Sequence, residues 1–280
     1  MFWFIMCGLA VFLLLILYGF CQNFFLCTEF YTVKAADVTK EKRIVLLADL
    51  HGNHFGKGND KLLTEIVWAE PDCVCIAGDM TVKNGKGARE MIAFLGKLAK
   101  KYPVYYAPGN HEIRMPHYGR YRRKLEEKGV VYLENEWVIS DGYAIGGLDL
   151  PEYWYHKCWD KRELDKKTLS EIIKPPGQIS GGEKLFSILL AHNPEYFRTY
   201  ADFGASLVLS GHIHGGIARL PGFGGVISPS LRLFPAYDAG LFQEGESYMV
   251  LSRGLGLHHI RLRFFNRPEL SIIDISRKNG

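Results

Sequence analysis

Apolar residues along this chain come mostly in short runs bounded by polar residues, glycine or proline. Ile44 to Ala48 is five apolar residues long, which fits a buried strand. Leu62, Leu63, Ile66 and Val67 then recur at helical spacing and predict a helix from a cap at Asn59 or Asp60 to Glu70. Cys73 to Ala77 reads as the next strand, Ala88 to Lys101 as a helix with Met91, Ile92, Leu95 and Leu98 inward, and Val104 to Ala107 as a third strand. Strand and helix alternate, which argues for parallel strands joined by right-handed crossovers.

From Val130 the texture changes. Val130 to Leu133, Trp137 to Ser140 and Tyr143 to Leu148 predict short strands with turns at Glu134-Asn135 and Asp141-Gly142. Asp160 to Lys174 reads as a charged helix. Leu185 to Leu190, Ser206 to Leu209, Tyr248 to Ser252 and Leu270 to Ile275 read as further strands. The expected class is α/β, with two mixed sheets face to face and helices outside. No internal repeat and no low-complexity tract interrupts the pattern.

The N-terminus differs from the rest. Met1 to Thr28 holds no Asp, Glu, Lys or Arg, and Phe2 to Phe20 is almost wholly apolar. That length crosses a bilayer core. A cleaved signal peptide is disfavoured, since there is no basic n-region, the apolar run is long, and no small-x-small site follows. A lipoprotein signal at Cys21 is disfavoured by Phe20. We expect residues 1–28 to be a single-pass transmembrane anchor, 29–42 a linker and 43–280 one catalytic domain. The first basic residues, Lys34, Lys40, Lys42 and Arg43, all follow the span, which places that domain on the cytoplasmic face.

Composition narrows the class further. The 280 residues are 48% hydrophobic and 23% charged, with a net charge of +4. This is a globular chain, not a disordered one, and its mild charge does not call for nucleic acid. Of six cysteines, three lie in the anchor region. We expect Cys73 and Cys75 on opposite faces of a strand, buried and unpaired. No disulfide framework is visible, which fits a reducing compartment.

The chemistry sits where the apolar runs end. The groups are Asp49-Leu50-His51, Gly78-Asp79, Gly109-Asn110-His111-Glu112, Ala191-His192-Asn193 and Gly211-His212-Ile213-His214. Taken singly, each reads as a cap or a turn. Taken together, they put carboxylates, an amide oxygen and imidazoles at the carboxyl ends of strands, where sites in open α/β sheets collect. Hard and borderline metals want that mixture. Two such metals side by side make hydroxide at neutral pH and clamp a phosphoryl group. Asp79 is the only candidate in its group, and its two carboxylate oxygens make it the natural bridge.

These blocks resemble the calcineurin-like metallophosphoesterase superfamily, whose pattern is D-x-H, G-D, G-N-H-[DE], H and G-H-x-H. The resemblance spans roughly residues 43 to 275. It implies a four-layer αββα sandwich and two divalent metal ions, manganese first, with iron, zinc or magnesium as alternatives. Carried over by position, one metal takes Asp49, His51, Asp79 and His214, and the other Asp79, Asn110, His192 and His212. A metal-bridging hydroxide would attack phosphorus in line with the departing oxygen. His111, beside Asn110, would steady the phosphoryl oxygen or protonate the leaving group. Glu112 would orient His111, or be a solvated loop carboxylate.

A narrower resemblance lies downstream. Ala191-His-Asn-Pro194, Gly211-His-Ile-His-Gly-Gly216, Arg219-Leu-Pro221, Tyr237-Asp-Ala-Gly-Leu241 and Ser252-Arg-Gly-Leu-Gly256 resemble a bacterial, membrane-associated subgroup. That subgroup is similar to enzymes cleaving UDP-2,3-diacylglucosamine and related envelope phosphodiesters or pyrophosphates. Its members more often carry Thr and Gln where this chain has Ile213 and Ile217. The implied partners are a phospholipid or lipid-linked phosphoester and the membrane, with no nucleic acid and no obligate protein partner.

Arg114, Arg120, Arg122 and Arg123, with Lys124 and Lys128, form a basic run after His111. It would bind anionic head groups or a second substrate phosphate, or be an exposed helix face with Lys–Glu pairs. Tyr153, Trp154, Tyr155 and Trp159 would pack under a loop or cover an acyl chain. Gly222 to Gly225 would be a hairpin turn or a mobile rim. His258-His259 would face opposite ways, which disfavours a metal pair. The rival functions are a nucleotide phosphodiesterase, a phosphoprotein phosphatase, and a non-catalytic membrane scaffold.

Overall fold

A computed structural model describes residues 1–155, 159–160, 162–179, 185–216, 218–257 and 262–278. His258-His259 and Ile217 lie outside the described residues.

The chain begins with helix α1, Phe2–Cys21, the one described helix long and apolar enough to cross a membrane. Strands β1 (Cys27–Ala35), β2 (Lys42–Leu47), β3 (Cys73–Ala77), β4 (Val104–Ala107) and β5 (Val131–Tyr132) follow. Between them run α2 (Asp60–Trp68), α3 (Ala88–Ala99) and α4 (Tyr118–Glu126). Next come β6 (Glu136–Ser140), β7 (Tyr143–Leu148), α5 (Lys166–Ile172), β8 (Phe186–Ala191), α6 (Phe197–Phe203) and β9 (Leu207–Ser210). The small hairpin β10 (Arg219–Leu220) and β11 (Gly224–Gly225), then β12 (Gly240–Glu244), β13 (Ser247–Leu251) and β14 (Glu269–Arg277), complete the chain.

Two six-stranded mixed sheets result, ordered β1-β14-β2-β3-β4-β5 and β12-β13-β9-β8-β7-β6. The strands β2, β3, β4 and β5 run parallel, as do β7, β8, β9 and β13. Three apolar layers separate the elements. Val45, Leu47, Val74 and Ile76 of the first sheet pack against Leu62, Ile66, Phe94 and Leu95 of α2 and α3. Ile44, Leu46, Cys75 and Ala77 turn the other way, onto Ile145, Ile188, Leu190 and Leu209 of the second sheet. Leu189, Val208 and Met249 meet Leu169 of α5 and Phe197 and Tyr200 of α6. The order is helix, sheet, sheet, helix, as expected. Full burial on both faces is why these strands read as continuous apolar runs and not as alternating ones.

Several readings differ from the structure. The first half of the expected linker is strand β1, paired with β14 in parallel register from Cys27↔Glu269 to Ala35↔Arg277. Its alternation is imperfect because it is an edge strand, and its partner lies some 240 residues away. Cys73 and Cys75 share the inner face, since residues two apart in a strand point the same way; both are free thiols. Within the expected helix at 160–174, the α-helical part is Lys166–Ile172, starting where the Asp165 side chain accepts the Thr168 N–H at 2.7 Å. Helix α2 stops at Trp68, since Pro71 disfavours helical geometry at Glu70, which adopts φ 47°. The strand expected near Val130 is β5, Val131–Tyr132, which joins the first sheet beside β4.

Candidate metal centre

Every motif sits on the loop that leaves the carboxyl end of a strand. Asp49 and His51 follow β2, Asp79 follows β3, and Asn110 and His111 follow β4. His192 follows β8, and His212 and His214 follow β9. Because β2 to β4 and β8 to β9 are parallel, these ends lie on one edge of each sheet, and the stacked sheets bring the two edges together. Asp49, His51, Asp79, Asn110, His111, His192 and His214 are all buried.

The distances describe a cage. Asp49 Oδ1 is 3.7 Å from Nε2 of both His51 and His214 and 3.8 Å from His192 Nε2. Asp79 Oδ2 lies 3.1 Å from His192 Nε2, 3.9 Å from His51 Nε2 and 4.0 Å from His111 Nε2. The Nε2 atoms of His51 and His214 are 3.3 Å apart. Most of these separations exceed a hydrogen bond. Ligand atoms held about 2.1 Å from a shared cation stand roughly 3–4 Å apart, so the spacing matches ligands around an ion. Among the described residues three clusters meet that test: Asp49, His51 and His214; Asp79, His192 and His212; and His51, Asp79 and His111.

Two buried oxygens carry the same message. Asp49 Oδ1 and Asn110 Oδ1 are sealed from solvent and accept no hydrogen bond among the described residues. A buried oxygen left unsatisfied costs about 1–3 kcal/mol, and a cation removes that cost. The donor set of carboxylate, amide and imidazole therefore fits divalent metal.

The remaining lone pairs are used to aim the ligands. Asp49 Oδ2 accepts the His212 N–H at 2.8 Å, and Asp79 Oδ1 accepts the His111 N–H at 2.8 Å. His192 Nδ1 donates to the Ala77 carbonyl at 2.6 Å, which leaves Nε2 for the cage. His111 Nδ1 accepts the Lys83 N–H at 3.2 Å, so the proton of its neutral form sits on Nε2, facing Asp79.

Backbone strain is concentrated here. Asp49, His51, Asp79, His212 and His214 all have φ between 49° and 72°. Non-glycine residues rarely adopt such angles, and they persist where surrounding structure imposes them. Gly78, at φ 80°, allows the close approach: a Cβ there would stand 2.6 Å from Gly109 Cα and 2.9 Å from His192 Nδ1.

The electrostatics follow from burial and charge. Burial alone would raise Asp49 and Asp79, but the imidazoles around them outweigh it and hold both carboxyls well below their usual range. Burial pushes His212 and His214 down to about 3 and His111 down to about 4. Burial also opposes charge on His192, yet Asp79 and Asp49 raise it to about 10.

Glu112 is fully buried, not solvated. Its carboxylate accepts the N–H groups of Asp79, Gly109 and Thr81 at 2.7, 3.0 and 3.0 Å. It thus ties the β3 and β4 loops together, where an orienting role toward His111 was one expectation. The loop at Gly254 to Gly256, part of the Ser252-to-Gly256 motif, supports Asp49, a role that sequence reading did not assign to it. Gly256 N–H donates to the Asp49 carbonyl at 2.6 Å, and a Cβ on Gly254 would stand 2.7 Å from Asp49 Cβ. The two closely spaced glycines after β13 were its signal.

The basic run is dispersed. Arg114 bridges to Glu152 at 2.7 Å, on the segment leading to Tyr155. Tyr155 packs its ring 5.2 Å from that of His212 and walls the cage. Arg122, on α4, pairs with Glu126 at 2.8 Å and with Glu134. Arg120 and Arg123 are exposed on the same helix. The aromatic cluster divides too, with Trp154 buried against Tyr196 and Tyr153 and Trp159 exposed. Gly222 to Gly225 is the turn and return strand of the β10–β11 hairpin.

A family model described as calcineurin-like phosphoesterase matches residues 42–216. The metallophosphoesterase YkuE of Bacillus subtilis is 37% identical over 246 residues, covering 85% of this chain and 80% of the relative. The phosphodiesterase YaeI of Escherichia coli is 27% identical over 247 residues, covering 83% and 82%. The crystal structure of TT1561 of Thermus thermophilus superposes with a TM-score of 0.52 at 15% identity, over 77% of this chain and 91% of that one, which shows a shared fold.

Proposed function

The chain belongs to the calcineurin-like phosphoesterase family and is a metal-dependent phosphoric ester hydrolase; from that premise we propose a membrane-anchored dinuclear enzyme that hydrolyses a phosphodiester or pyrophosphate of an envelope lipid. The observation that carries the dinuclear reading is the pair of clusters sharing one edge of the cage, Asp49 with His51 and His214, and Asp79 with His192 and His212. Asp79 reaches toward both, being near His51 and His192 alike. Asn110 completes the second set with its buried, unsatisfied oxygen. Manganese is the first candidate metal.

When bound, such cations supply an activated water and Lewis-acid neutralisation of phosphoryl charge. The chain's own residues do the rest. His111, neutral and with its Nε2–H toward the site, donates a hydrogen bond to a phosphoryl oxygen as negative charge grows there. It can also pass that proton to the leaving oxygen. Arg114, held by Glu152 beside the site, attracts substrate phosphate. Arg120 and Arg123, exposed on α4, extend the positive surface toward anionic head groups, while Arg122 is neutralised by Glu126 and Glu134.

Helix α1 supports membrane anchoring by its length and apolar composition. The four basic residues soon after it, Lys34, Lys40, Lys42 and Arg43, favour a catalytic domain on the cytoplasmic side. YaeI, a relative of similar length, carries the name phosphodiesterase, which favours diester over monoester.

The test is hydrolysis by purified full-length protein, stripped of metal and then supplied with Mn²⁺. Bis-p-nitrophenyl phosphate, p-nitrophenyl phosphate and UDP-2,3-diacylglucosamine are compared. Metal-dependent cleavage of the lipid substrate supports the proposal. Preference for a lipid-free nucleotide or phosphopeptide overturns the lipid assignment, and absence of bound metal would favour a scaffold.

A further inference from the structure

We infer that the catalytic domain has a second membrane contact, an apolar rim beside the metal cage that seats in the same leaflet surface as the end of α1. The inference rests on the reading of α1 as a membrane anchor.

The end of α1 is docked, not dangling. Arg263 N–H donates to the Gly19 carbonyl at 2.9 Å, and the Phe264 ring lies over Gly19, where a Cβ would stand 2.8 Å from it. Tyr18 packs against Phe264 and Phe265, with ring centroids 6.3 and 5.9 Å away. Gly19 is within the last turn of a 20-residue apolar helix. At about 1.5 Å per residue, whatever touches Gly19 stands level with the edge of the bilayer core.

That contact continues into a small β array. Arg219 N–H donates to the Phe264 carbonyl at 2.9 Å, which joins the β10–β11 hairpin to the loop that holds α1. Val226 and Phe234 extend the array through Val226 N–H to Ala218 O at 2.8 Å and Phe234 N–H to Val226 O at 2.9 Å. The array exposes Leu220, Phe223, Leu231, Leu233, Phe234 and Phe265. Phe223 is 79% exposed and Leu233 63%, so these are side chains turned out and not core edges. Six large apolar side chains from three segments, in one continuous array, exceed the scattered apolar exposure normal for a soluble surface. Leu220 and Phe265 line the same open hollow of about 410 Å³.

Bilayer is the occupant that the surroundings specify, because the array is continuous with the end of the apolar helix. Exposed Arg267, whose guanidinium donates to the Phe25 and Leu26 carbonyls at 3.1 and 2.8 Å, sits where a head-group phosphate would be met. The metal cage is close by. Gly225 packs on Gly215 and Gly216, the residues directly after His214, and Asn266 donates to the His214 carbonyl at 2.7 Å. A rim seated in the leaflet would bring the cage to the surface from which an amphiphilic phosphoester is drawn.

The test uses the full chain in lipid nanodiscs and needs no substrate. Trp emission is compared in ordinary lipid and in lipid brominated along the acyl chain, which quenches only nearby indoles. The parent chain carries Trp3 in α1 as an internal reference. Phe223→Trp and Leu233→Trp each add an indole on the rim, and Ile139→Trp adds one at an exposed position on β6, an edge strand of the second sheet outside the rim array. The expected result is loss of the added emission for both rim variants and none for Ile139→Trp. Quenching of the parent with no extra loss at either rim position would overturn the rim while leaving the anchor standing. A parent insensitive to brominated lipid would overturn the anchor and the rim together.

Discussion

The Glu112 carboxylate accepts the Asp79 backbone N–H at 2.7 Å from a fully buried position. One side chain thereby sets the backbone of a metal-ligand candidate on a different loop. Replacing Glu112 by Ala strands the N–H groups of Asp79, Gly109 and Thr81. Loss of this kind of supporting contact typically lowers metal affinity about 10–100-fold. Titration of the stripped protein with Mn²⁺ reads that loss directly, and an unchanged affinity would remove Glu112 from the site's support.

Asp79 and His111 should separate when mutated. Asp79→Ala removes the oxygen near His51, His192 and His111, so bound metal should fall below the parent's content when counted by elemental analysis. His111→Ala should keep its metal and lose roughly 10²–10³ in kcat, the usual cost of one hydrogen bond to a developing oxyanion. Equal metal loss in both variants would make His111 a ligand instead.

Metal uptake should depend on pH through His192. Asp79 and Asp49 raise its pKa to about 10 in the metal-free protein, so the imidazole is protonated near neutrality. A cation must displace that proton, and apparent affinity should therefore rise with pH, by up to about tenfold per unit between roughly pH 6 and 9. Calorimetry in buffers of different ionisation enthalpy counts the proton released; a count of zero would contradict the assignment.

Gly78→Ala should damage the fold at the cage. The new Cβ would stand 2.6 Å from Gly109 Cα while φ is held at 80°. Overpacking and a left-handed backbone together cost about 2 kcal/mol or more. For a domain of this size that lowers Tm by roughly 4–8 °C, measured by calorimetry on the metal-free chain.

Much of this was legible in the linear pattern. Buried parallel strands read as unbroken apolar runs, so β2, β3, β4, β8 and β9 were found, and each ends beside a metal-binding residue type. What stayed hidden depended on partners far away in sequence. Among the described residues strand β1 pairs only with β14, so its local pattern resembled a linker. Glu112 reads equally as a partner of His111 or a solvated carboxylate until three backbone N–H groups from two loops are seen around it. Arg122 looks available until Glu126 and Glu134 are seen beside it.

By itself, the order of residues determined the donor chemistry, the apolar N-terminal helix and the alternation of strand and helix, because side-chain type and periodicity are local properties. Tertiary structure alone decided that Asp49 Oδ1 lies within 3.8 Å of three imidazoles, and that the loop at 263–266 links α1 to His214. Distances of that kind arise only when two sheets stack and their strand ends coincide, and no spacing along the chain encodes them.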